Sequence, residues 1–222
     1  VDSVVSHMES GKQLCVFLDA PGGTGKTFCL NALLSHVRGE KKIALAVAST
    51  GIAALLLNGG TTIHSRFKIP INLTAETVCG LSWQCATAKL LRQTALIVYD
   101  ESPMHHRFLM EALDRTLRDV RESSAPFGGV SVVFAGDFRQ ILPIVPHTDK
   151  SSVIAACLHQ SPLWAAFAQF RLTENMRVRR LISGALRSRL EDFSTWLLKV
   201  GEGRIGVGTG VSDDGGSLST VT

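Results

Sequence analysis

The sequence has no Cys-x-x-Cys pair: its five cysteines stand singly at 15, 29, 79, 85 and 157, an odd number at irregular spacing. That excludes the ligand spacing of a zinc finger and offers no disulfide framework. The thiols are therefore expected to be buried or free, in a reducing compartment. Also lacking is any apolar run near the roughly 20 residues of a membrane-spanning helix, so no membrane partner is expected. Asp2, His7, Glu9 and Lys12 interrupt any signal-like apolar stretch. The chain opens on Val rather than Met, which reads as a fragment. Aromatic residues are sparse at 6%, with one tyrosine, and charged residues make up only 19%. With 45% hydrophobic residues, this composition argues for a packed core and against a wholly disordered chain. A formal net charge of +4 permits an anionic partner without requiring one.

What the sequence does have is alternation. Residues 14–18, 43–48, 95–99 and 130–135 are short, nearly continuous apolar runs, and 169–172 is a fifth candidate. Strands buried on both faces of a parallel sheet read this way. Between the first two, residues 28–37 carry Leu30, Leu33, Leu34 and Val37 at helical spacing. Strand, helix, strand in repetition predicts an α/β domain with a mainly parallel sheet flanked by helices. After Gly201-Glu202-Gly203-Arg204 the chain turns rich in Gly, Ser, Thr and Asp. Residues 1–200 are thus expected to form the domain and 201–222 a disordered tail.

The first run leads into Ala20-Pro21-Gly22-Gly23-Thr24-Gly25-Lys26-Thr27 and then the helix. This is the strand, G-x-x-x-x-G-K-[ST], helix order of a phosphate-binding loop, with Ala20 in place of the first glycine. Pro21, Gly22, Gly23, Thr24 and Gly25 would wrap backbone N–H groups around a phosphate at the helix N-terminus. Lys26 would neutralise the β- and γ-phosphates, and Thr27 would place its hydroxyl on Mg²⁺. A methyl group at 20 is tolerable where φ is negative. The 95–99 run ends in Asp100-Glu101, at the strand end where ligands bind in such sheets. Asp100 would hold Mg²⁺ and Glu101 would orient and deprotonate a water. A third strand runs into Gly136-Asp137-Phe138-Arg139-Gln140, and its carboxyl end is expected beside the loop. There Gln140 suits sensing of the γ-phosphate. Asp137 and Arg139 read equally as ordinary turn residues.

Together these elements resemble the Pif family of superfamily-one DNA helicases, with the Helitron-like branch most similar. The resemblance rests on 20–27, Ala48-Ser49-Thr50-Gly51-Ile52-Ala53-Ala54, Thr61-Thr62-Ile63-His64-Ser65, Asp100-Glu101-Ser102-Pro103-Met104, 136–140 and Leu172-Thr173-Glu174-Asn175-Met176-Arg177. Six motifs in order are specific, whereas the loop alone indicates only an NTPase. The resemblance implies a RecA-like first motor domain and Mg-ATP hydrolysis. It further implies 5′-to-3′ unwinding, with single-stranded or tailed duplex DNA as partner, a monomeric state, and roles in repair, recombination or telomere maintenance. It implies a nuclear location, with the mitochondrion as the other option. It assigns Gln140 and Arg177 to the γ-phosphate. DNA is expected over Thr50, Gly51, His64 and Phe67, although His64 and Phe67 could equally be core residues. Arg171, Arg177, Arg179, Arg180, Arg187 and Arg189 form a basic region, read as a solvated face that could in part track DNA. The family's adenine-recognising glutamine and second motor domain have no counterpart here. The chain alone is therefore expected to bind Mg-ATP, hydrolyse it slowly and not unwind DNA. The rival readings are a P-loop ATPase with another client and a non-catalytic remnant that binds nucleotide or DNA.

Overall fold

Apolar runs with no polar alternation need cover on both sides, and the computed structural model shows how they obtain it. It describes residues 2–10, 12–146, 148–179, 185–204, 208–210 and 218–220. The first compact unit, Val1–Glu174, contains α1 (Asp2–Glu9), β1 (Cys15–Asp19), α2 (Lys26–Gly39), β2 (Ile43–Ala48), α3 (Gly51–Leu55) and β3 (Thr61–Thr62). It continues with α4 (Ile63–Phe67), α5 (Ala86–Gln93), β4 (Thr94–Asp100), α6 (Arg107–Val120), β5 (Ser131–Gly136), α7 (Lys150–Ala156) and β6 (Phe167–Arg171).

The six strands lie in the order β3-β2-β4-β5-β1-β6, and every pairing is parallel. The expected α/β class is observed. Neighbouring strand residues serve opposite faces: Phe17, Tyr99 and Phe134 pack in one apolar cluster, Val16, Val98 and Ala135 in the other. Helix α6 covers the first face with Leu109, Met110, Leu113 and Leu117, and α2 covers the second with Leu30, Leu34 and Val37. Each such fully buried side chain contributes about 1.5–3 kcal/mol relative to exposure. The 43–48 strand has the expected bounds. The 14–18 and 130–135 strands are each shifted one residue on, to 15–19 and 131–136, and the 95–99 strand gains a residue at both ends, the ladder continuing to Asp19, Asp100 and Gly136. Helix α2 begins at Lys26, ahead of the first apolar repeat, because left-handed Gly25 (φ 89°) turns the chain into it.

The second unit, Asn175–Thr222, holds α8 (Met176–Arg179), α9 (Ala185–Gly201), β7 (Gly208–Gly210) and β8 (Leu218–Thr220). The two compact units thus meet between Glu174 and Asn175. One reason is Asn175, whose Nδ2 donates to Ser194 on α9 at 3.0 Å and so ties the start of α8 into this unit. In the expected tail, β7 pairs antiparallel with β8, and the intervening 211–217 lie outside the described residues.

Cys15 and Cys79 are buried, and burial pushes both thiols up to about 11, as expected for inert core cysteines. Gly136 is closely approached: an added Cβ there would stand 2.3 Å from Cδ of Pro103. A proline ring cannot swing aside, so Gly136→Ala is expected to cost about 1–3 kcal/mol by overpacking. Urea unfolding of the variant against wild type checks this.

Candidate nucleotide and nucleic-acid site

The loop between β1 and α2 is pinned from below. Ala20 is fully buried and its N–H donates to Gly136 O at 3.0 Å, joining the start of the loop to the end of β5. It is not among the positive-φ residues, so alanine serves where the pattern has glycine. Gly23 (φ 86°) and Gly25 (φ 89°) adopt the left-handed conformation that disfavours a side chain. Thr24 is buried and its hydroxyl donates to Pro21 O at 2.7 Å, closing the loop on itself.

Lys26 is the first residue of α2 and Thr27 follows in the same turn. The Lys26 ammonium lies 2.6 Å from Asp100 Oδ1 and also bonds Glu101 Oε1. The Asp100 side chain is 3% exposed, so its charge leans on this cation. Its Oδ1 also accepts the Glu101 N–H at 2.8 Å. That bond accompanies a left-handed Glu101 backbone (φ 54°, ψ 34°), sparsely populated for a residue with a side chain. Beyond Glu101 a tight 3-10 turn, Ser102–Met104, buries Ser102, whose hydroxyl donates to Ala135 O at 3.2 Å. A buried carboxylate and a second carboxylate are hard oxygen donors, and a cation already occupies the space between them. This donor set fits Mg²⁺, which takes one or two protein oxygens and otherwise keeps water and phosphate.

The carboxyl end of β5 adjoins β1, with Gly136 opposite Asp19. Asp137 and Arg139 are more than turn residues. Arg139 binds Asp137 Oδ1 at 2.6 Å and Asp19 Oδ1 at 2.8 Å, and Arg171 at the end of β6 binds Asp19 Oδ2 at 3.2 Å. Gln140 is exposed, with its Nε2 3.4 Å from Asp137 Oδ2. This two-aspartate, two-arginine chain was not foreseen. The signal for it was an acid directly before the loop and an arginine two residues after another acid.

The expected DNA segment divides. Thr50 and Gly51 are exposed, and the Thr50 hydroxyl caps α3 by accepting from Ala53 N at 3.2 Å. His64 is half-buried, its Nδ1 3.0 Å from Ile69 O and its ring edge-on to His105 at 5.2 Å. Phe67 is corrected: it is 0% exposed, within the core cluster of Val47, Ile63 and Tyr99. An aromatic at the end of a five-residue helix faced the sheet, not solvent, so it has no free face for a base. Arg177 belongs to the second unit, where its N–H donates to Asn175 Oδ1 at 3.1 Å. Its assignment to the γ-phosphate rests on the resemblance. Of the basic region, Arg180 lies outside the described residues.

A family model for PIF1-like helicase matches residues 1–209. The chain belongs to the PIF1-like helicase family. It is 35% identical over 172 residues to "ATP-dependent DNA helicase Pif1" of Psychrobacter sp., covering 77% of this chain and 26% of that protein. The crystal structure of Bacteroides Pif1 bound to ssDNA is 27% identical with a TM-score of 0.71, covering 93% of this chain and 47% of that one. Bacteroides Pif1 in complex with ADP-AlF3 and ssDNA gives 25% and 0.71, with coverage of 93% and 47%. The chain thus spans about a quarter of that curated relative and about half of those solved chains.

Two predictions follow from the burial around α4. Phe67→Leu is expected to destabilise the chain by about 1 kcal/mol or more while leaving oligonucleotide affinity unchanged, read by thermal melting and fluorescence anisotropy. His105 is held down to about 4, first by burial and then by the neighbouring His64. Its folded value lies below the 6.5 of an unfolded histidine, so the unfolded chain binds the proton first. Stability from this group is whole above pH 6.5 and drains away as pH falls toward 4, by up to about 2–3 kcal/mol. Urea midpoints at pH 7 and pH 5 are expected to differ more for wild type than for His105→Asn.

Proposed function

We propose that this chain is the first motor domain of an ATP-dependent DNA helicase, acting 5′ to 3′ on single-stranded or tailed duplex DNA. The observation that carries the reading is the Lys26 ammonium bonded to both Asp100 and Glu101, at the carboxyl end of a parallel sheet and the start of α2. A triphosphate would draw Lys26 onto its β- and γ-oxygens, and the freed acids would take Mg²⁺ through Asp100 with Thr27. Bound there, the metal would neutralise charge building on the phosphates. Glu101 would then accept a proton from the attacking water, and Gln140 would orient that water. Arg177 is assigned, by family resemblance, to charge on the transferring phosphoryl group. Single-stranded DNA would run over Thr50, Gly51 and His64, with hydroxyls donating to phosphates. A relative named as an ATP-dependent DNA helicase and neighbours solved with ssDNA and ADP-AlF3 support both halves of the reading.

The test uses the 222-residue chain, a fluorescent ATP analogue and Mg²⁺. Wild type is expected to bind it. Lys26→Ala is expected to lose about tenfold or more in affinity, 1.4 kcal/mol being a factor of ten. Glu101→Gln is expected to bind normally while its hydrolysis falls about 100-fold, the low end for loss of a general base. Equal turnover in Glu101→Gln would remove that residue from its role, and absence of nucleotide binding in wild type would overturn the reading.

A further inference from the structure

Tyr99 is the chain's one tyrosine, and it lies in the apolar run of β4, directly before Asp100. A fully buried hydroxyl needs a partner. It finds one in Nδ1 of His105, over whose ring the phenol also stacks at 6.1 Å. His105 ends the 3-10 turn that starts from Glu101: Met104 N donates to Glu101 O at 3.3 Å, and His105 N to Ser102 O at 3.2 Å. The same imidazole meets the ring of His64 on α4 edge-on at 5.2 Å. Since a carbonyl only accepts, His64 Nδ1 carries the proton toward Ile69 O, and that bond fixes its ring.

A second fastening runs parallel. Ser49, just before the Thr50 cap of α3, donates its N–H to Asp100 O at 3.2 Å and its hydroxyl to Met104 Sδ at 3.3 Å. Both segments that carry candidate DNA contacts are thus tied to the turn bearing Asp100 and Glu101, one by Ser49 and one by His105. The ties to Tyr99 and His64 are made by a histidine that burial keeps neutral, so they transmit position and not charge.

We propose that Tyr99 and His105 are positioning residues that couple occupancy of α4 by a single strand of DNA to the setting of Asp100 and Glu101. A bound strand that shifts His64 shifts His105. That histidine is hydrogen-bonded to the residue before Asp100 and sits one 3-10 turn after Glu101. Coupling of this kind is reciprocal, so nucleotide and DNA each raise the other's affinity by the same factor. The inference rests on the nucleotide and DNA reading above.

The experiment measures affinity of the 222-residue chain for a fluorescent ATP analogue with Mg²⁺, with and without saturating oligo(dT), and affinity for oligo(dT) with and without nucleotide. Wild type is expected to show a coupling factor of about fivefold or more, the lower end of typical allosteric effects. Tyr99→Phe, which keeps the ring and removes the hydroxyl, is expected to bring the factor below about twofold while each separate affinity stays within about twofold. His105→Ala is expected to do the same. His105→Asn, which keeps an acceptor at the Nδ1 position but loses the ring that meets His64, is expected to lower the factor as well. Unchanged coupling in Tyr99→Phe overturns the proposal, and so does unchanged coupling in His105→Asn. Wild type that binds both ligands without coupling overturns this inference alone. Wild type that binds nucleotide but no oligo(dT) overturns the DNA reading and the inference with it.

Discussion

The Lys26 ammonium between Asp100 and Glu101 is the constraint around which the site is arranged. Sheet order makes it demanding. Lys26 follows β1 and the acids end β4, yet β5 lies between those strands. The ion pair therefore has to reach past the end of β5, and that end is Gly136. The absent side chain leaves room for Pro103 from the acidic turn, while its carbonyl accepts the N–H of Ala20 at the head of the loop. One glycine thus seats both partners of the ion pair. The pair also offsets a burial cost: with its side chain almost inaccessible, Asp100 would be expensive to keep charged without a cation.

Most of the sheet was legible because strands covered on both faces leave nearly continuous apolar runs, as those of β1, β2, β4 and β5 are. The turn between β1 and α2 was legible because glycines at 23 and 25 are required by backbone conformation, not by packing that other residues could supply. What could not be read is whatever depends on direction. Phe67 and His64 sit three residues apart on one short helix, and five residues give too little periodicity to say which faces inward. Tyr99 left a usable sign, a lone hydroxyl in an apolar strand, but not the identity of its partner six residues on. The break after Glu174 left no sign, since it follows from Asn175 bonding to Ser194, a contact between residues far apart in sequence.

The chain of Asp137, Arg139, Asp19 and Arg171 shows why turn residues near a phosphate site are hard to assign from sequence. An arginine after a buried strand is ordinarily a solvated cation. Here two strand ends each bring an acid, and one guanidinium answers both, with a second arginine on Asp19. A planar guanidinium can make several such bonds at fixed angles, where an ammonium would act as a point charge. The consequence is mechanical: β1, β5 and the segment leading to Gln140 are cross-braced at their carboxyl ends, next to the phosphate loop. Gln140 itself stays exposed, its Nε2 3.4 Å from its neighbour Asp137. A residue that answers to a ligand and not to the fold would be arranged in this way.

Glu101 carries the strain in this arrangement. A left-handed backbone at a residue with a side chain costs on the order of 1 kcal/mol and persists only where its surroundings over-determine it. Three features do so here: Asp100 accepts its N–H, Lys26 binds its carboxylate, and the following 3-10 turn is anchored by Ser102 on Ala135. All of them lie within Val1–Glu174. The carboxylate proposed to take a proton is therefore aimed by its own unit, before any second domain is considered. Holding a nucleotide and moving along a strand, as proposed, are then separable demands on the sequence: the first would draw on the braced ends of β1, β4 and β5, whereas the second would need a path by which those ends feel what lies over α3 and α4. Ser49 and His105 are the contacts proposed to provide one.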